Sequence, residues 1–508
     1  VQEVNMTEQD LRSEFVNTLL TTPHRQLSAV LPIHEQMIEQ DPLFYVHLAA
    51  WYADNGMVRD HKEMFVIMLC LSDFEGHRDV GLALLRQLPP YEVARVVDFI
   101  KGHEVKRRVP KGPRVRGAKR EFEMVSERVG LYRNVPRSMR TEITRYLQER
   151  EADDRRFDRT ALTARKALKR LYAGLHIRPS DRAQAILFDD DPPSDSLAFK
   201  LKQIVKARTP VDQARAIAEH GIPYRVASSV IKEMSPTVLT ALISVMTPQE
   251  VINNMGSLKR RGAFDNPDLK TLIEAKLEEA QKDKRVSAYK AKVAAEAAEV
   301  TGELADSLDA VTEAQVKAAG QITRPTALLI DKSGSMDVAI EVGRQLGALV
   351  SSICEAELFA YAFDTVAYPL EPKGESLADW EKALAGIHAG GSTSCGVALE
   401  WMRRKKQRVE QIVMVTDEGE NTAPRFHDAY EAYVDEIKVK PAVILVRIGR
   451  AMNLLERACH ELGVAPNVFE FRGDYYALPN VIPLLTYPSL MEMVMEILEY
   501  PLPKREKA

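Results

Sequence analysis

The spacing of apolar residues changes character once along this chain, near residue 320, and that change limits the fold more than any other feature. Upstream, apolar residues recur every three or four positions, as in Phe44 to Trp51, Met64 to Cys70, Val80 to Leu88 and Val93 to Ile100. That is the spacing of one face of an α-helix. Polar or Pro-containing breaks such as Leu88-Pro89-Pro90 and Ser235-Pro236 divide the stretches, and Asp181 to Leu187 and Asp212 to Ala218 continue the pattern. No motif of the ankyrin or TPR period, roughly 33 or 34 residues, recurs, so the pattern predicts a stack of paired helices of irregular length. Lys282 to Gln315, rich in Ala, Glu and Lys, reads as one long solvated helix leading to the boundary.

Downstream, short apolar runs take over. They are Ala327 to Ile330, Leu358 to Phe363, Ile412 to Val415, Ala442 to Ile448 and Val468 to Phe471. Helical stretches such as Glu341 to Cys354 and Gly396 to Arg404 lie between them. Buried strands alternating with helices predict a parallel sheet covered on both faces. Ligands of such sheets bind beyond the carboxyl ends of the strands. The expected layout is residues 1–320 helical and 321–508 α/β.

Three elements of the second region carry chemistry. Asp331-Lys332-Ser333-Gly334-Ser335-Met336 follows the first strand. Gly390-Gly391-Ser392-Thr393-Ser394-Cys395 lies further on, and Val415-Thr416-Asp417-Glu418-Gly419 follows the central strand. Asp331, Ser333, Ser335, Thr393 and Asp417 together offer two carboxylates and three hydroxyls. An all-oxygen set suits Mg²⁺, which takes octahedral geometry at about 2.0–2.1 Å and keeps several waters. The three elements, in this order, resemble the von Willebrand factor A (vWA) domain with its metal-ion-dependent adhesion site. The resemblance implies a divalent cation with one position open to an acidic group of a partner. Enzyme readings have less support. There is no phosphate-loop, H-E-x-x-H or G-x-S-x-G motif, and Ser333 stands where an aspartyl-phosphate phosphatase needs a second Asp.

The formal net charge of −4 hides a sorted distribution. Residues 101–185 hold 24 Lys and Arg against 11 Asp and Glu, net +13, while the rest of the chain is acidic. Such a block can bind an anionic polymer whatever the total charge. Its cations are Lys101, Lys106, Arg107, Arg108, Lys111, Arg114, Arg116, Lys119 and Arg120, then Arg133, Arg137 and Arg140. Arg155, Arg156 and Arg159 follow, then Lys166, Lys169 and Arg170. The glycines and prolines of 101–120 predict that much of this stretch is loop. Few aromatics interleave, so phosphate and shape contacts are expected to dominate, as with a folded RNA.

Lys169 to Ser180 (KRLYAGLHIRPS) resembles the signature of TROVE domains, and Met246 to Gly262 and Arg285 to Tyr289 resemble two later TROVE segments. A helical TROVE region followed by a vWA domain is the layout of the Ro family. The resemblance implies an α-helical HEAT-like repeat ring plus an α/β vWA domain with a parallel, Rossmann-like sheet. It further implies binding of small noncoding Y RNA and of misfolded or single-stranded RNA ends, with His176 and Arg178 at the RNA. An exoribonuclease such as polynucleotide phosphorylase is an implied partner.

The expected function is non-enzymatic RNA binding, with Mg²⁺ or another divalent cation at the vWA site. A protein-interaction module centred on that site is the alternative, and an Mg²⁺-dependent hydrolase the third. No apolar run reaches the length of a membrane span, about 18 residues. Val1 to Asp10 holds three acids and no base, unlike a signal peptide. Cys70, Cys354, Cys395 and Cys459 are far apart, so a disulfide framework is not expected and a cytoplasmic location is.

Overall fold

The computed structural model of the chain describes residues 26–56, 58–110, 122–207, 209–231, 233–283, 288–334, 336–449, 452–471, 481–486 and 490–505, with isolated positions besides. The chain divides into two compact units. One holds Thr22–Val245 together with the residues from Glu496; the other is built on Met246–Met495. The units therefore part at Val245, while the change from helices to alternating strands comes later, near residue 320.

In the first unit, helix starts are written locally. Asp41 and Thr209 each precede a proline, and their side chains accept the N–H groups of Phe44 and Asp212. Ser180 and Ser196 cap their helices in the same way. A capping oxygen satisfies an orphan N–H, and proline at the first position has none to lose. The helices then pack in alternation. Leu27–Gln40 lies on Arg59–Leu71, which lies on Pro90–Lys101, which lies on Asp154–Gly174. Pro42–Asn55 lies on His77–Gln87, and that on Arg137–Glu151. Contact of each helix with the one two places along is how stacked helical pairs bury a continuous core.

A two-stranded antiparallel ribbon interrupts the helices, and for residues 103–110 the expectation of a loop is corrected; residues 111–121 lie outside the described residues. β1 (His103–Pro110) pairs with β2 (Phe122–Val129), from His103↔Val129 to Pro110↔Phe122. Valines at 105, 109, 125 and 129 favour extended backbone, and Glu104 stands opposite Arg128, a favourable cross-strand pair. The ribbon's foot is fixed by Leu131 and Arg133, whose N–H groups donate to the Phe99 and Ile100 carbonyls at 2.8 Å. Gly130 has φ +113°, and a Cβ there would lie 2.4 Å from the Phe99 oxygen.

The C-terminal residues belong to this helical unit. Trp51 Nε1 donates to Glu496 at 2.9 Å, and the Tyr500 hydroxyl donates to Asp54 at 2.6 Å. Arg505 Nε donates to Glu142 at 2.8 Å. Glu142 is fully buried and also accepts from Arg86 at 3.2 Å.

In the second unit, Lys282 to Gln315 is not one solvated helix. Helices Ala288–Ala297 and Glu303–Ala319 occupy it, and Leu304, Leu308 and Val311 are buried. Their i, i+4, i+7 spacing is an apolar stripe among alanines. The sheet runs in the order β5-β4-β3-β6-β7-β8. β3 is Thr326–Asp331, β4 Leu358–Phe363, β5 Ala367–Leu370, β6 Gln411–Thr416, β7 Ala442–Ile448 and β8 Asn467–Phe471. All neighbours are parallel except β4 and β5; the short edge strand β5 has no counterpart in the sequence expectation. Leu328, Ile330, Val413 and Val415 face one apolar cluster, while Ala327, Leu329, Ile412 and Met414 face the other. Both sides of these strands are covered, so their sequences read as unbroken apolar runs.

Glu142 tests the anchoring of the C-terminal segment. Glu142→Ala removes a buried carboxylate shared by Arg86, Arg145 and Arg505 and should lower the unfolding free energy by ~3 kcal/mol. Arg505→Ala should lower it by ~1 kcal/mol. Denaturant unfolding measures both, and values within ~0.5 kcal/mol of the parent would show that this contact holds nothing.

Candidate functional site

Topology places the first candidate site. The chain moves from β3 to β4 on one side and later from β6 to β7 and β8 on the other. The order therefore reverses between β3 and β6, and such a switch point opens a crevice at the strand ends. The register pairs Ile330 with Val415, so the next residues, Asp331 and Thr416, end their strands side by side. The Thr416 hydroxyl donates to Asp331 Oδ2 at 2.8 Å, and the Ser333 N–H donates to Asp331 Oδ1 at 2.8 Å.

Loops are stitched around this point. The Gly390 N–H donates to the Lys332 carbonyl at 2.8 Å, and the Thr393 N–H to Asn421 Oδ1 at 2.9 Å. Gly391 has φ +89°, the left-handed backbone that glycine adopts without strain. Lys332 bonds Asp364 at the end of β4, joining the first loop to the neighbouring strand. After Asp417, Glu418 sits at φ +62°. That strained residue is held by Arg447 of β7 at 2.6 Å and by the Glu456 N–H at 3.2 Å. Strain retained by surrounding bonds is characteristic of sites whose geometry matters. None of these supporting contacts carries a motif of its own; Arg447 and Glu456 are brought in by strand order alone.

Asp331, Ser333 and Thr393 are buried, and Asp417 is partly buried. Ser335 lies outside the described residues. Burial holds the Asp331 carboxyl above its ordinary value; the bonds from Ser333 and Thr416 oppose this, and the charge of Asp417 adds to it. Two mutually repelling carboxylates with hydroxyls beside them fit a hard divalent cation, which would supply the missing charge. Among the described residues no group of three or more His, Cys, Asp or Glu gathers to offer another metal site. Cys395 is fully buried, and burial pushes its thiol well above the ordinary value, with Glu420, Asp331 and Asp417 adding to the effect.

The second candidate site is the cationic surface of the helical unit. The fold engages some of the candidate cations and leaves others unpaired with any described carboxylate. Lys101 donates to the Gly174 carbonyl at 3.0 Å and Arg140 to the His176 carbonyl at 3.2 Å, while Arg170 pairs with Asp98. Arg155, Arg156, Arg159, Lys166 and Arg178 are exposed and make no ion pair with any described carboxylate. Lys106, Arg133 and Arg137 are exposed as well, and Lys169 lies 5.3 Å from the Phe188 ring centre. Arg107 and Arg108 belong to β1, opposite Val125 and Met124. Lys111, Arg114, Arg116, Lys119 and Arg120 lie outside the described residues.

The helix Asp154–Gly174 thus carries Arg155, Arg156, Arg159, Lys166, Lys169 and Arg170, and ends at His176. The Ile177 N–H returns to the Tyr172 carbonyl at 2.9 Å, and His176 has φ +51°. This is a left-handed helix ending, a place usually given to glycine. His176 and Arg178 are both exposed. Two further exposed cations, Lys202 and Arg225, face the same helix across a groove. They lie outside the basic block, so charge counting does not single them out.

No family model matches the chain, and no curated protein matches it in sequence. Solved structures do. A von Willebrand factor type A protein from Catenulispora acidiphila is 18% identical, over 35% of this chain and 43% of its own, with a TM-score of 0.26. Proximal thread matrix protein 1 from the mussel byssus, a structure with a zinc-occupied MIDAS motif, is 14% identical over 33% of this chain and 48% of its own, at 0.27. The Ro (RSR) protein of Deinococcus radiodurans is 14% identical and matches 93% of this chain and 99% of its own, with a TM-score of 0.62. A helical region followed by a strand-switched α/β unit, matched over nearly the whole length of both chains, is the fold of the Deinococcus Ro protein.

Proposed function

We propose that this chain is an RNA-binding protein of the Ro family, with its RNA site on the helical unit and a divalent cation, Mg²⁺ or a similar ion, at the strand-end site. The observation that carries the reading is the set of exposed cations along Asp154–Gly174 and at Arg178, unmatched by described carboxylates in a chain of net charge −4. Phosphates compensate such charges and release their counterions on binding. His176 and Arg178 extend the surface past the helix end. Small noncoding RNA of the Y type and misfolded or single-stranded RNA ends are the ligands we assign by resemblance, with an exoribonuclease such as polynucleotide phosphorylase as a partner. We assign no catalytic step.

In this reading Asp331, Asp417, Ser333, Ser335 and Thr393 hold the cation. Bound there, it supplies positive charge between the carboxylates. The protein's part is to fix the loops through Lys332–Asp364 and Glu418–Arg447.

Filter binding with a structured RNA tests the main claim. Affinity should fall steeply between 50 and 200 mM salt, by about 1,000-fold if six phosphates are held. The triple variant Arg155→Glu, Arg156→Glu, Arg159→Glu should bind at least ~30-fold more weakly at 100 mM salt and melt like the parent. No RNA affinity, or affinity without salt dependence, would favour the protein-interaction module centred on the α/β unit.

His176→Gly separates contact from architecture. Glycine relieves the left-handed strain, so stability should hold or rise by about 1 kcal/mol. RNA affinity should nevertheless fall several-fold; unchanged affinity would remove His176 from the site.

Metal binding is read by thermal unfolding. Mg²⁺ at 100 times its Kd should stabilise the parent by ~2.7 kcal/mol. Asp331→Ala should show no Mg²⁺-dependent shift relative to its own metal-free state.

A further inference from the structure

A groove of about 1090 Å³ opens on the helical unit, beside Asp154–Gly174. That helix is kinked at Ala164, with φ −122° and ψ 23°. The Thr160 and Thr163 hydroxyls donate to the carbonyls of Arg156 and Arg159 just before the kink, at 2.7 and 3.1 Å. Such back-bonding bends helices. The floor is apolar, formed by Ala161, Ala167, Ile186, Leu201 and Val226.

The walls are cationic. Lys166 and Arg225 are exposed, and neither pairs with a described carboxylate. Arg165 and Lys202 donate to backbone carbonyls, of Leu187 and Asp190 respectively, and neither pairs with a described carboxylate. Asp189 and Asp190 are the acidic residues of the lining, against six Lys and Arg. At one side stands Tyr91, 49% exposed.

An apolar floor between cationic walls does not suit a duplex. A helical RNA presents phosphates and sugars outward and keeps its bases stacked inside. A single strand offers both parts separately, bases for the apolar floor and aromatic ring, phosphates for the walls. We propose that this groove holds a short single-stranded segment of RNA, its phosphates on Lys166, Lys202 and Arg225 and a base against Tyr91. The assignment rests on the RNA-binding reading above and adds to it a place for the single strand and three residues outside the basic block, Tyr91, Lys202 and Arg225.

Fluorescence anisotropy of the full chain with a labelled ten-nucleotide oligouridylate and with a blunt RNA duplex tests it. Lys202→Glu combined with Arg225→Glu should weaken the single strand at least tenfold and the duplex less than twofold. Tyr91→Ala should weaken the single strand about tenfold with an unchanged salt slope, and Tyr91→Phe should restore it. All are surface substitutions, and their melting temperatures should match the parent. If the parent binds the single strand and the double variant binds it equally well, the groove is not the site. Equal losses for both RNAs would make it a general phosphate surface and overturn the strandedness. Full competition by polyglutamate would overturn the RNA assignment in favour of an acidic peptide. A parent that binds neither RNA would instead overturn the function on which this inference rests.

Discussion

A cation on a folded protein is open to a phosphate only if the fold has not already neutralised it. That constraint shapes the helical unit. Arg182 is surrounded by Asp154, Asp158 and Asp195 and ties the helix Asp154–Gly174 to the segment around Asp195. Arg86 and Arg505 converge on the buried Glu142. These arginines hold helices together. Between them the same helix exposes Arg155, Arg156, Arg159 and Lys166, none of which pairs with a described carboxylate. Structural pairing and charge unmatched by described carboxylates alternate along one element, and that division is what supports the proposal of an RNA surface on this element rather than on the basic block as a whole.

The α/β unit solves a different electrostatic problem. Parallel pairing of β3 with β6 sets Asp331 beside Thr416 and close to Asp417. Two carboxylates at the end of a buried sheet repel, and Lys332, the nearest cation in sequence, is bound to Asp364. Among the described residues no cation pairs with Asp331 or Asp417. A residue in left-handed backbone, Glu418, follows Asp417 directly and is pinned from β7. The geometry around the carboxylates is fixed by contacts that, among the described residues, pair neither carboxylate with a cation.

Much of this was legible in the sequence, and for identifiable reasons. Strands buried on both faces must be apolar throughout, so five of the six sheet strands stand out as runs. β5 does not, because Ala367-Tyr368-Pro369-Leu370 is a four-residue edge. The paired ribbon was hidden by the glycines and prolines within 101–120, although the valines that extend its strands were in view. Lys282 to Gln315 misled because alanine scores as neither core nor surface, leaving Leu304, Leu308 and Val311 as a thin stripe. The five metal-site candidates could be named because three short motifs carry them. Arg447, Asp364, Lys202 and Arg225 could not, since only tertiary packing brings them to their sites.

Ultraviolet crosslinking of the full chain to bound RNA, with the modified peptides identified by mass spectrometry, tests the central claim most directly. The account predicts adducts on the helical unit, concentrated between Arg155 and Arg178 and at Tyr91. Adducts confined to the α/β unit beyond residue 320 would contradict it.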